Sequence, residues 1–175
     1  MSKQIAVLLA GCGHLDGAEI HEAVLTLLAL DQRGAKYTCC APNIDQHTVT
    51  DHLTKSPAAD RRNVLHESAR IARGNIRDVA EMRIADFDAL IIPGGFGVAK
   101  NLCNFAEAGA ECTVNAAVDR LIGDALAAGK PIGAICIAPA LLARVAGRRG
   151  ISARLTIGDD AGTATAISRM GCQHE

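Results

Sequence analysis

Lys130-Pro131-Ile132-Gly133-Ala134-Ile135-Cys136-Ile137-Ala138-Pro139-Ala140-Leu141-Leu142 decides the fold. Residues 131–135 are small or apolar, as suits a strand buried on both faces. Residues 138–145 favour a helix, and Pro139 is tolerated in its first turn. Cys136 falls between the two with almost no loop. A side chain at such a strand-to-helix turn sits on a sharp elbow at the carboxyl edge of a sheet. It also faces a helix N-terminus, where free N–H groups and the dipole favour a thiolate. A buried cysteine capping a core strand fits the same residues equally well.

Working outward, the neighbouring segments repeat the pattern. Residues 4–10 (QIAVLLA) predict a strand, followed by the glycine-rich turn Gly11-Cys12-Gly13-His14-Leu15-Asp16-Gly17. A helix is expected over 18–33, with Ile20, Val24, Leu27 and Leu28 at helical spacing and Gly34 ending it. Residues 36–41 predict a second strand, so the opening is a β-α-β unit with a parallel sheet. Further strands are expected at 87–92 and 153–157, and helices at 58–73, 111–128 and 161–170. Strands alternating with helices predict an α/β fold, a doubly wound, mostly parallel sheet flanked by helices. Ligands of such sheets bind beyond the carboxyl ends of the strands. The turns at 11–17, 93–97 and 136 lie there.

Composition narrows the class. The chain has 175 residues, 49% of them apolar, which fits one globular domain over 1–175. With three Phe, one Tyr and no Trp, the core must be aliphatic. A net charge of −1 disfavours a nucleic-acid partner. No apolar run is long enough to span a membrane, and residues 1–4 do not read as a signal peptide. The seven cysteines are odd in number and form no C-x-x-C pair, so neither a disulfide framework nor a metal site is expected. Reduced thiols suit a cytoplasmic location.

Several motifs have a plain alternative. Gly11-Cys12-Gly13 suggests a dinucleotide fingerprint, but Asp16 stands where the third glycine belongs and no acidic residue ends the second strand. Arg61, Arg62, Arg70, Arg73 and Arg77 are interspersed with acids and read as a solvated, salt-bridged face. His47 and His52 read as surface residues. Arg144, Arg148, Arg149 and Arg154 read as a solvated loop. Glu19 and Glu22 suit the dipole of the first helix, and either could reach Cys136 and move a proton. Pro93-Gly94-Gly95 could bring backbone N–H groups beside Cys136, where with the N–H of Ile137 they would form an oxyanion hole.

Pro93-Gly94-Gly95-Phe96-Gly97, Lys100-Asn101-Leu102 and Ala134-Ile135-Cys136-Ile137-Ala138-Pro139 together resemble the ThiJ/PfpI superfamily of class I glutamine-amidotransferase-like proteins. Residues 11–24, Arg62-Asn63-Val64-Leu65 and residues 100–106 are similar to its enhancing-lycopene-biosynthesis subgroup, also called the isoprenoid-biosynthesis glyoxalase. The resemblance implies a flavodoxin-like sheet and a cofactor-free, glutathione-independent glyoxalase, a lyase acting on glyoxal and methylglyoxal. It implies Cys136 as nucleophile and Glu22 as the acid hydrogen-bonded to it. Glu19 would be a neighbouring carboxylate, and Gly94, Gly95 and Ile137 the oxyanion donors. Homodimers are common in this superfamily.

Two departures stand out. Gly158-Asp159-Asp160 occupies the place where some relatives carry a histidine, which weakens a peptidase or amidotransferase reading. Family members also continue past Glu175, so a C-terminal segment is expected to be missing and the chain to be less stable than longer relatives. The alternative function on the same fold is a redox-sensing thiol protein without turnover. An inactive structural remnant is a third.

Overall fold

The computed structural model describes residues 2–175. Its core is a five-stranded, wholly parallel sheet of β1 (Gln4–Leu8), β2 (Lys36–Ala41), β3 (Ile76–Asp78), β4 (Ala89–Ile92) and β5 (Ile132–Ala134), in the order β3-β2-β1-β4-β5. The helices are α1 (Ile20–Gln32), α2 (Val64–Ile71), the short α3 (Phe105–Ala108), α4 (Ala116–Ala127), α5 (Ala138–Gly147) and α6 (Ala161–Arg169). This is the doubly wound, flavodoxin-like α/β architecture expected.

Alternation along β1 builds the two layers. Ile5, Val7 and Leu9 point into one apolar cluster with Ala23 of α1 and Val64 of α2. Ala6, Leu8 and Ala10 point into the other, with Val118 and Leu121 of α4 and Leu141 and Val145 of α5. Period-two side chains thus feed a core on each face of the sheet. Because β1, β4 and β5 are adjacent, the turns that follow them meet at one sheet edge.

Helix starts follow their caps rather than propensity. Glu19 caps α1, so that helix begins at Ile20 and not at residue 18. Asn63 accepts the His66 N–H and starts α2, leaving 58–62 irregular despite its helix-forming residues. Asn115 accepts from Ala117 and Val118 and delays α4 to residue 116. A short strand, β3, lies where none is expected, pairing Ile76–Asp78 with Cys39–Ala41.

Three other expectations are corrected. β5 is not buried on both faces: it lies at the sheet edge, and Gly133 is exposed. The strand expected at 153–157 shrinks to β6 (Arg154–Leu155), which leaves the main sheet and pairs in parallel with β7 (Gln173–His174). Two arginines of the 144–154 connection are structural, while Arg148 and Arg154 are exposed as expected. Arg144 donates to the carbonyls of Cys112 and Ala110, and Arg149 forms a two-pronged pair with Asp119. Arg62 and Arg70 do lie in a salt-bridged face with Asp60 and Glu67.

Candidate functional site around Cys136

Cys136 links the end of β5 to the start of α5 with a backbone φ of 59°. For a residue with a side chain, that left-handed conformation costs roughly 1–2 kcal/mol. It is held by what flanks it: the Ile135 N–H donates to the Ile92 carbonyl, and the Ala138 N–H donates to Ile135. The residue is exposed, whereas Cys39, Cys40, Cys103, Cys112 and Cys172 are buried.

A cleft of about 520 Å³ opens over it, lined by His14, Glu19, Gly95, Phe96, Cys136 and Ile137 together with residues of the α6 entrance. The cleft therefore draws on all three expected turns. Glu19 caps α1 by accepting the Glu22 N–H at 2.7 Å, and its other oxygen meets His21 at 2.9 Å. Burial pushes the Glu19 carboxyl up, but the bonds from the Glu22 N–H and from His21 outweigh it and hold it below its usual value.

Glu22 lies behind Cys136. Its Oε2 accepts the Gly94 N–H at 2.7 Å. Oε1 has no hydrogen-bond partner among the described residues. A Cβ placed on Gly94 would lie 2.4 Å from the Cys136 Cβ and 2.7 Å from Glu22 Oε2, so only glycine allows the three groups to approach. No hydrogen bond joins Glu22 to the Cys136 thiol among the described residues; the carboxylate is drawn to the backbone of Gly94 instead.

The same bond changes the role expected for Gly94. Its N–H is already given to Glu22, so it is not free to meet an oxyanion. The N–H groups of Gly95 and Ile137 have no hydrogen-bond partner among the described residues, and both residues line the cleft. Gly95 adopts φ 99°, and a Cβ there would meet the Glu19 nitrogen at 2.4 Å.

Several cleft residues escape sequence reasoning. His14 lies within the glycine-rich turn but belongs to no expected motif. Asp160 lines the cleft and caps α6 by accepting the Thr163 N–H at 2.7 Å. That bond lowers its pKa. Ile157 is brought in only by the β6–α6 connection. His52 is exposed, as expected, and is also anchored: its Nε2 accepts the Leu15 N–H, and its Nδ1 donates to the Thr50 carbonyl. His47 is anchored too, at 2.8 Å from Glu107. Beneath the turn, Asn101 donates to the carbonyls of Ala10 and Asp16 and accepts the His47 N–H.

Residues 5–157 match the DJ-1/PfpI family. The chain belongs to that family. It is 46% identical over 181 aligned residues to the human glutamine amidotransferase-like class 1 domain-containing protein 3, mitochondrial, covering 98% of this chain and 66% of that protein. It is 44% identical to the rat ES1 protein homolog, mitochondrial, with the same coverage. The chain thus spans just under two thirds of the length of these relatives. Among solved structures, an isoprenoid biosynthesis protein with an amidotransferase-like domain from Ehrlichia chaffeensis superposes with a TM-score of 0.92 at 41% identity. That match covers 99% of this chain and 78% of the other. No helix among the described residues is long and apolar enough to cross a membrane.

Proposed function

We propose that this DJ-1/PfpI protein is a cofactor-free, glutathione-independent glyoxalase of the isoprenoid-biosynthesis subgroup, acting on glyoxal and methylglyoxal through Cys136. The observation that carries the reading is one exposed cysteine on a left-handed strand-to-helix turn, with an anchored carboxylate behind it and two free backbone N–H groups beside it. The seven free cysteines suit a reducing compartment. The cytoplasm belongs to this proposal, with the mitochondrion named for the relatives as its rival.

The chemistry runs in balanced steps. The Cys136 sulfur adds to one aldehyde carbon of glyoxal, and its proton passes to the new hydroxyl of a hemithioacetal. Glu22, through Oε1, takes the proton from that carbon and returns it to the neighbouring carbonyl carbon by way of an enediol. The N–H groups of Gly95 and Ile137 stabilise the oxyanion as it develops. The product is a thioester of glycolic acid, and water cleaves it to glycolate and free thiol. Glyoxal and one water become glycolic acid, with no external oxidant or reductant. Glu19 anchors the start of α1 and so orients Glu22.

The test is glycolate formation from glyoxal without glutathione, by the protein and by Cys136→Ala. Turnover lost in the variant supports the covalent route. A folded protein that makes no glycolate overturns it; reversible oxidation of Cys136 by peroxide in that protein would favour the redox-sensing alternative.

A further inference from the structure

A second cavity, of about 340 Å³, adjoins the Cys136 cleft. Phe96 lines both spaces, and Leu15, next in the chain to His14 of the cleft, lines this one. The remaining walls include Thr48, Thr50, Lys55 and Lys100.

Its charge is one-sided. Neither Lys55 nor Lys100 forms an ion pair with a carboxylate among the described residues. Lys100 Nζ donates to the Leu15 carbonyl at 3.2 Å and stands 5.6 Å from the centre of the Phe96 ring, which leaves further N–H donors. Of the carboxylates close by in sequence, Asp16 is buried behind the wall: its Oδ2 accepts the Thr50 N–H at 2.7 Å, while its Oδ1 has no hydrogen-bond partner among the described residues and lies 3.9 Å from His52. Asp51 folds onto the N–H groups of Leu53 and Thr54.

Two further features mark the walls. The Thr48 hydroxyl is buried without a hydrogen-bond partner. Lys55 holds a left-handed backbone, φ 59°, at a turn position where glycine or asparagine would cost less. Two lysines without carboxylate partners on one cavity wall suit a compact, multiply charged oxyanion, and lysine is a recurrent point-charge partner of phosphate.

We propose that this cavity holds the phosphate of a phosphorylated 2-oxoaldehyde whose aldehyde carbon reaches Cys136. The assignment rests on the glyoxalase reading of the cleft. The reaction is unchanged: one water is added, the oxoaldehyde becomes a 2-hydroxy acid, and the phosphate ester stays intact.

The test separates binding from turnover. Glycerol 3-phosphate, glycerate and glycerol are titrated calorimetrically into the protein, Lys100→Met and Lys55→Asn; asparagine removes the charge yet suits the left-handed backbone. Glycerol 3-phosphate should bind in preference to the other two and weaken about tenfold in each variant, the loss expected for one charge-assisted contact. Methylglyoxal carrying a phosphate on its methyl carbon should show a lower KM than methylglyoxal, and that advantage should vanish in both variants. Failure of glycerol 3-phosphate to bind, equal binding by glycerate, or undiminished binding in the variants overturns the assignment. Binding that depends on both lysines in a protein that turns over neither aldehyde upholds the phosphate site and removes the glyoxalase reading instead.

Discussion

Glu22 Oε2 accepts the backbone N–H of Gly94 at 2.7 Å, a bond that joins the first helix to the turn after β4. It fixes one carboxylate oxygen and leaves the other for proton transfer. Glu22→Gln keeps an acceptor for Gly94, so its thermal melt should match the parent while glycolate formation falls about 10²–10⁴-fold. Glu22→Ala should lose about 1 kcal/mol of stability as well. A glutamine variant with undiminished kcat would take Glu22 out of the chemistry.

The left-handed turn at Cys136 sets stability against chemistry. Glycine adopts φ 59° without the steric penalty of a Cβ, whereas alanine retains that penalty. Cys136→Gly should therefore be more stable than Cys136→Ala by about 1 kcal/mol, and both should be inactive. Urea denaturation compares them directly. An alanine variant as stable as the glycine variant would show that the turn carries no strain.

Thiol accessibility predicts an order of labelling. Burial pushes Cys39 up to about 11 and raises Cys40 further, while Cys136 is exposed. Brief iodoacetamide treatment of the native protein near neutral pH should modify Cys136 first and leave Cys39 and Cys40 intact. Peptide mass spectrometry reads the order, and early labelling of Cys40 would contradict the packing of β2.

Asp119 and Arg149 tie α4 to the end of α5, with oxygen-to-nitrogen distances of 2.7 and 3.0 Å. The Arg149 hydrogen bond holds the Asp119 carboxyl below its usual value. The stabilisation is therefore complete above the unfolded pKa of about 3.9 and is lost as pH falls through the lower folded value. Asp119→Asn should cost about 1 kcal/mol at pH 7, and the gap from the parent should close below about pH 4. Melting curves across pH 2.5–7 would test it; a gap independent of pH would assign the loss to packing.

The sheet and its site-bearing turns were legible because their signals are local. The alternating residues of β1, the apolar run before Cys136 and the glycines after β4 each state their conformation within a few positions. The starts of α2 and α4 were not legible in that way, since Asn63 and Asn115 override helix-forming neighbours by a single cap bond. β3 is three residues long and exists only because β2 offers it an edge. Around the site, Cys136, Glu19, Gly95 and Ile137 line one cleft. The bond between Glu22 and Gly94 depends on how α1 leans over the sheet, which no short pattern encodes. His14, Ile157 and Asp160 reach the cleft through loop paths, and the lysine-lined cavity needs three segments distant in sequence.

The wide, π-helical turn Val98–Leu102 carries Lys100 and Asn101 on consecutive positions, one toward the cavity and one under the glycine-rich turn. Such a turn holds one residue more than an α-helix needs. Deleting a single residue before Lys100 would restore α-helical winding and swing its neighbours by about 100° around the axis. Loss of one codon there would thus disconnect the cavity lysine and the asparagine anchor together, although neither residue had been replaced.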